Sequence, residues 1–131
     1  GPGKDISYQK SNNKSVVFNL EFKDFEMLFT GDIEKEAERD IIENTPKKVI
    51  KSDILKVAHH GSITSSLKQF LSLVSPKEAV ISVGVNNFGN PAPEILTRLR
   101  EQGSRIWRTD YSGAVIIKTD GYKYSINSYI N

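Results

Sequence analysis

At 131 residues, 37% hydrophobic and 26% charged, the chain has the size and composition of one globular domain, with no low-complexity tract and no repeat of solenoid period. A formal charge of +2 excludes a strongly basic nucleic-acid protein by net charge, and the lack of cysteine excludes disulfides, thiolate metal sites and thiol nucleophiles. No apolar run approaches the roughly 20 residues that a membrane span needs.

Gly1-Pro2-Gly3 reads as the scar of a cleaved expression tag, and residues 4–131 read as one domain without an interior linker. Residues 15–22 (SVVFNLEF) and 25–30 (FEMLFT) are β-branched and aromatic runs separated by Lys23-Asp24, which predicts a hairpin. Gly31-Asp32 stops the second strand. Ile33, Ala37 and Ile41 then recur at i, i+4 and i+8 among charged residues, the pattern of an amphipathic helix.

A connection containing Pro46 leads to a short strand over 53–58. The lysines around it, Lys47, Lys48, Lys51 and Lys56, read as a solvated edge. Two adjacent histidines follow, His59 and His60, with no other histidine in the chain. Leu67, Phe70, Leu71 and Val74 predict a second helix, capped by Ser65 or Ser66 and ended by Pro76. Residues 78–83 (EAVISV) form a nearly continuous apolar run, as in a strand buried on both faces. After the loop 84–91, Pro93 opens a third helix with Ile95, Leu96 and Leu99 inside, and Gly103 closes it. Three strands, 105–108, 114–118 and 123–129, complete the chain. Strands alternating with helices define an α/β layered domain.

Four constellations carry chemistry. Asp32 follows a strand directly; it serves either as a helix-capping carboxylate or as a hard ligand for a divalent metal at the carboxyl end of a strand. His59 and His60 also follow a strand. In extended backbone their rings would point to opposite faces, so one would reach a site while the other orients it or packs. Gly61, Ser62, Thr64 and Ser65 lead into a helix, where amides and hydroxyls form either a phosphate site or an ordinary serine cap. Asn86, Asn87 and Asn90 read as turn residues that could equally rim a pocket. Trp107 between Arg105 and Arg108 reads as a strand aromatic at a sheet surface.

Taken together, the stretches "NNKSVVFNLEFKDFEMLFTGDIEKEAE", "DILKVAHHGSITSS", "SPKEAVISVGVNN" and "RTDYSGAVIIKTDG" resemble the metallo-β-lactamase-like domain of the ComEC-type DNA-internalisation competence proteins. The resemblance runs from Asn12 to Gly121. It implies half of an αββα sandwich, a mixed sheet with helices on one side. It also implies Asp32 as a metal-bridging carboxylate, one of His59 and His60 as a metal ligand, and Asp32 and His60 as the catalytic pair. Phosphate contacts would come from Gly61, Ser62, Thr64, Ser65, Asn86 and Asn87.

The implied activity is hydrolysis of single-stranded DNA by zinc- or manganese-activated hydroxide, in a domain outside the bacterial cytoplasmic membrane. Implied partners are DNA, the other half-domain, the membrane-channel part of the same protein, or a second copy. The fold's principal motif, of the form H-x-H-x-D-H, has no counterpart here, and the G-H-P-H-P-like loop of relatives is Gly89-Asn90-Pro91-Ala92-Pro93. The chain therefore matches the second half of the domain, expected to be inactive and metal-free by itself because a catalytic zinc takes three protein ligands. The other expectation is a metal-free module binding nucleic acid or a partner protein. A sheet cut from its other half should also bare an apolar face, leading to self-association or to a rearrangement that hides it.

Overall fold

The computed structural model describes residues 4–7, 15–85 and 88–130. A six-stranded mixed sheet runs in the order β1-β2-β3-β4-β5-β6, formed by β1 (Lys4–Ser7), β2 (Val16–Phe22), β3 (Phe25–Phe29), β4 (Ile54–Lys56), β5 (Glu78–Ile81) and β6 (Arg105–Arg108). The first three strands are antiparallel and β3 to β6 are parallel. Parallel neighbours need crossovers, and these are α1 (Lys35–Asn44) with the single turn α2 (Lys47–Ile50), then α3 (Lys68–Val74), then α4 (Pro93–Glu101). The single-turn helix α5 (Thr109–Ser112) leads to a separate hairpin, β7 (Val115–Thr119) with β8 (Tyr124–Ser128).

The period-2 alternation of the strands sends side chains to two faces. Val17, Leu28, Leu55, Ala79 and Ile81 meet Ala37 and Ile41 of α1, Phe70, Leu71 and Val74 of α3, and Ile95 and Leu99 of α4 in one buried cluster. On the opposite face, Phe25, Met27, Ile54 and Val80 bury against Ile126 of β8, with Leu20, Phe29, Trp107, Val115, Ile117 and Tyr124 packed around them. Helices on one side of a mixed sheet are as expected.

Of the two outcomes expected for the second face, the covered one is seen: the terminal hairpin lies on it, so three layers form within one chain. A two-stranded hairpin is marginal in isolation, and here its apolar side is stabilised by the sheet. One hub locks it down. Glu78, with a side chain only 1% exposed, accepts hydrogen bonds from Arg105 Nη2 at 2.7 Å, Trp107 Nε1 at 3.0 Å and Tyr124 Oη at 2.8 Å. Burial pushes the Glu78 carboxyl up, but these three donors outweigh it and hold it below the usual carboxylate range. Burial and the same carboxylate push the Tyr124 phenol up to about 12. Trp107 is thus a strand aromatic under the hairpin.

Candidate functional site at the sheet's carboxyl rim

Parallel strands deliver their next residues to one rim, and here β3, β4, β5 and β6 bring Thr30–Asp32, the histidine turn, Ser82–Gly84 and Thr109–Tyr111 together there. The backbone N–H of His59 donates to the carbonyl of Gly31 at 2.9 Å, so the loop of Asp32 adjoins the loop of the imidazoles. Thr30 Oγ1 donates to the carbonyl of Lys56 at 2.6 Å and fastens the same two strand ends. The Asp32 side of this junction is exposed, and the Asp32 N–H donates to Ser15 Oγ at 3.0 Å.

The histidine segment is not extended. Ala58–Gly61 forms a tight helical turn in which His59 (φ 52°) and His60 (φ 56°) both lie in the left-handed region. This corrects the opposite-face expectation: the ring centroids are 6.3 Å apart. The rings nevertheless have separate partners. His60 Nδ1 is 2.7 Å from the carbonyl oxygen of Ser82, which fixes Nδ1 as the donor and leaves Nε2 with the lone pair. His59 Nδ1 is 3.3 Å from Thr64 Oγ1 and 3.6 Å from Glu34 Oε2. A carbonyl or carboxylate behind Nδ1 is the arrangement that orients a ligating imidazole.

A cavity of about 220 Å³ opens beside His60, lined by Val83, Gly84, Val85, Phe88 and Asn90. Its loop is anchored by Thr109, whose hydroxyl accepts from the Val83 N–H at 2.9 Å and donates to the Val83 carbonyl at 3.0 Å. Next to it, Arg108 pairs with Asp110 through Nε–Oδ1 at 3.1 Å and Nη2–Oδ2 at 2.9 Å, and lies 3.7 Å from the Tyr111 ring centroid. A larger cleft of about 410 Å³, lined by Asp24, Glu26, Lys48, Lys51, Asp53 and Lys77 among others, lies at the opposite, amino-terminal end of the parallel strands.

Lys56 departs from the solvated-edge expectation. It is half-buried at the rim end of β4; burial pushes its ammonium down and the charge of Asp32 pulls it back up.

The amides leading into α3 do not stand open for a phosphate. Ser66 and Leu67 donate theirs to Glu38 Oε2 at 2.6 Å and Oε1 at 2.7 Å, so a carboxylate from α1 occupies the place of the expected serine cap. Ser62 N–H is spent on the His59 carbonyl, and Ser65 Oγ donates to the carbonyl of Ile33 at 2.5 Å. The hydroxyls of Ser62 and Thr64, 2.9 Å apart, remain beside His59. Gly61 is buried against Pro91, and Asn86 and Asn87 lie outside the described residues.

Among the described residues, no three His, Asp or Glu side chains stand together closely enough to hold a metal ion. Asp32, His59 and His60 therefore do not by themselves fit a three-ligand ion.

No protein-family model matches the chain. It is 39% identical over 105 residues to ComE operon protein 3 of Bacillus subtilis, which covers 79% of this chain and 13% of that protein. Competence protein ComA of Neisseria gonorrhoeae is 36% identical over 105 residues, 79% of this chain and 15% of its own length. Recombination protein 2 of Haemophilus influenzae is 36% identical over 112 residues, 85% of this chain and 14% of its own. The chain thus spans less than a sixth of the length of each.

Proposed function

Since the chain belongs to the ComEC-type competence proteins, we propose that it serves DNA uptake as the second half of a metallo-β-lactamase-like hydrolase domain. The observation that carries this reading is the bond from His59 N–H to the Gly31 carbonyl, which joins the loop of Asp32 to that of the two imidazoles at one rim. In this reading Asp32 and one imidazole are contributed to a zinc or manganese site whose other ligands come from outside this segment. A metal bound there would supply an activated hydroxide for attack on a phosphodiester.

The chain's own residues orient and bind. The Ser82 carbonyl holds His60 with its Nε2 lone pair available, and Ser62 and Thr64 offer hydroxyls to a phosphate of single-stranded DNA. Lys56 adds positive charge near Asp32. No helix among the described residues is long and apolar enough to cross a membrane. In this reading the domain lies beside the membrane channel of the same protein, on its outer side.

Calorimetric titration with zinc and manganese tests the incomplete site. Binding to this chain alone should be weaker than about 1 µM, a free energy of roughly 8 kcal/mol. Hydrolysis of single-stranded DNA should appear when the chain is joined to the preceding half of the domain, and disappear with Asp32→Ala. Tighter binding by this chain that is lost in Asp32→Ala overturns the incomplete site. A joined domain without hydrolysis overturns the hydrolase and leaves a metal-free module for nucleic acid or a partner protein, a reading favoured by the absence of three convergent ligands among the described residues.

A further inference from the structure

The segment between the histidines and α3 is unusual in its backbone. His59 (φ 52°), His60 (φ 56°) and Ser66 (φ 61°) all occupy the left-handed region within eight residues, and none is glycine. Such residues cost about 1–3 kcal/mol each and persist only where surrounding contacts over-determine them. His59 and His60 are held directly by the carbonyls of Gly31 and Ser82, whereas the segment that follows them, Thr64–Leu67, is held mostly by one short stretch, residues 33–38, directly after Asp32. Lys35 N–H donates to the Thr64 carbonyl at 3.1 Å, and the Ile33 carbonyl accepts from Ser65 Oγ at 2.5 Å. The Glu38 carboxylate takes the amides of Ser66 and Leu67, one on each oxygen. From the other side, Arg98 Nη1 of α4 donates to the Ser66 carbonyl at 3.0 Å.

Glu38 is the decisive member of this set. It is fully buried, so water cannot replace it when it is lost, and two amides would be left without acceptors in the interior. The charged groups that face it are Arg98 of α4 and Lys35 of α1. We propose that Glu38 is the positioning residue of the rim site: through the Ser66 and Leu67 amides it fixes the His59–His60 turn relative to Asp32, while touching none of the three. The proposal rests on the reading that these three residues form one site. Its geometry requires a carboxylate of this length. A glutamine would turn an NH2 toward one of the two donors, and an aspartate would be one methylene short.

Nuclear magnetic resonance of this chain tests the proposal without metal or DNA, so its outcome is separate from that of the hydrolase reading. Glu38→Gln should speed amide exchange of His59, Ser66 and Leu67 by about tenfold or more and shift the ring signals of both histidines. The control is Val74→Ala, which hollows the same helix layer away from the clamp and should leave the ring signals in place. Unmoved histidine signals in Glu38→Gln, or equal movement in Val74→Ala, overturn the proposal. If Glu38→Gln does not fold, Glu38→Asp, which keeps the carboxyl group, carries the same expected and overturning results.

Discussion

The His59 N–H reaches the Gly31 carbonyl at 2.9 Å because Gly31 turns left-handed, at φ +54°, directly after β3. A Cβ there would sit 3.1 Å from Ser15 Cβ, a contact that a small shift relieves, so Gly31→Ala should cost about 1–2 kcal/mol, mainly from backbone strain. At Gly61 (φ +79°) a Cβ would meet Pro91 Cβ at 2.6 Å and its Cα at 3.0 Å, with backbone unable to give way cheaply. Gly61→Ala should therefore be the more damaging of the two, by roughly 2–4 kcal/mol in total. Urea denaturation of both variants checks the order, and equal losses would contradict it.

Much of this was legible in the sequence for a physical reason: the strands β2 to β6 and helices α1, α3 and α4 follow hydrophobic periods of their own segments. The placement of Asp32 and the histidines at one rim also follows, because each comes directly after a parallel strand. What escaped depends on distant partners. Glu38 lies beside Ala37 and one turn before Ile41, on the buried flank of α1, yet within "KEAERD" it resembles a solvated face. Ser65 and Ser66 have the local signature of a cap for α3, but the acceptor arrives from 28 and 29 residues upstream. Glu78 opens an apolar strand segment with no local sign of a polar hub, and its partner Tyr124 is 46 residues away. The left-handed turn at His59 and His60 has no local signal either, since neither residue is glycine.

The Glu78 hub should decide whether the hairpin stays on the sheet. Glu78→Ala leaves Trp107 Nε1 and Tyr124 Oη without their acceptor under β7 and β8 and should cost about 3 kcal/mol. Hydrogen exchange at Ile117 and Ile126 should rise well before exchange in α3. Because the folded carboxyl lies below its ordinary range, the stability that Glu78 contributes is present above the usual carboxylate pKa and is lost as pH falls through its folded value.

Glu38 pulls stability the opposite way. Burial pushes its carboxyl from 4.5 up to about 7, against the amides of Leu67 and Ser66 and the charges of Arg98 and Lys35, which pull it down. The folded state thus holds the proton more tightly than the unfolded chain. Its contribution is fully present below about 4.5 and is lost as pH rises through about 7, a change of about 3 kcal/mol at roughly 1.4 kcal/mol per unit. Stability measured across that window should fall with pH in the wild-type chain relative to Glu38→Gln, in which this group no longer titrates. Parallel profiles for the two proteins would show that Glu38 ionises with an ordinary pKa.

Metal should leave the stability of this chain nearly unchanged. A ligand that binds only the folded state stabilises it by about 2.7 kcal/mol at a hundredfold excess over its dissociation constant, enough to move the melting temperature by several degrees. Such binding needs three donors, and among the described residues no three His, Asp or Glu side chains converge. Melting curves in chelator and in zinc should therefore agree within about 1 °C, far less than a bound structural ion gives. A rise of several degrees in zinc that vanishes in both Asp32→Ala and His60→Ala would mean that these side chains close on an ion more completely than their positions in the free chain allow.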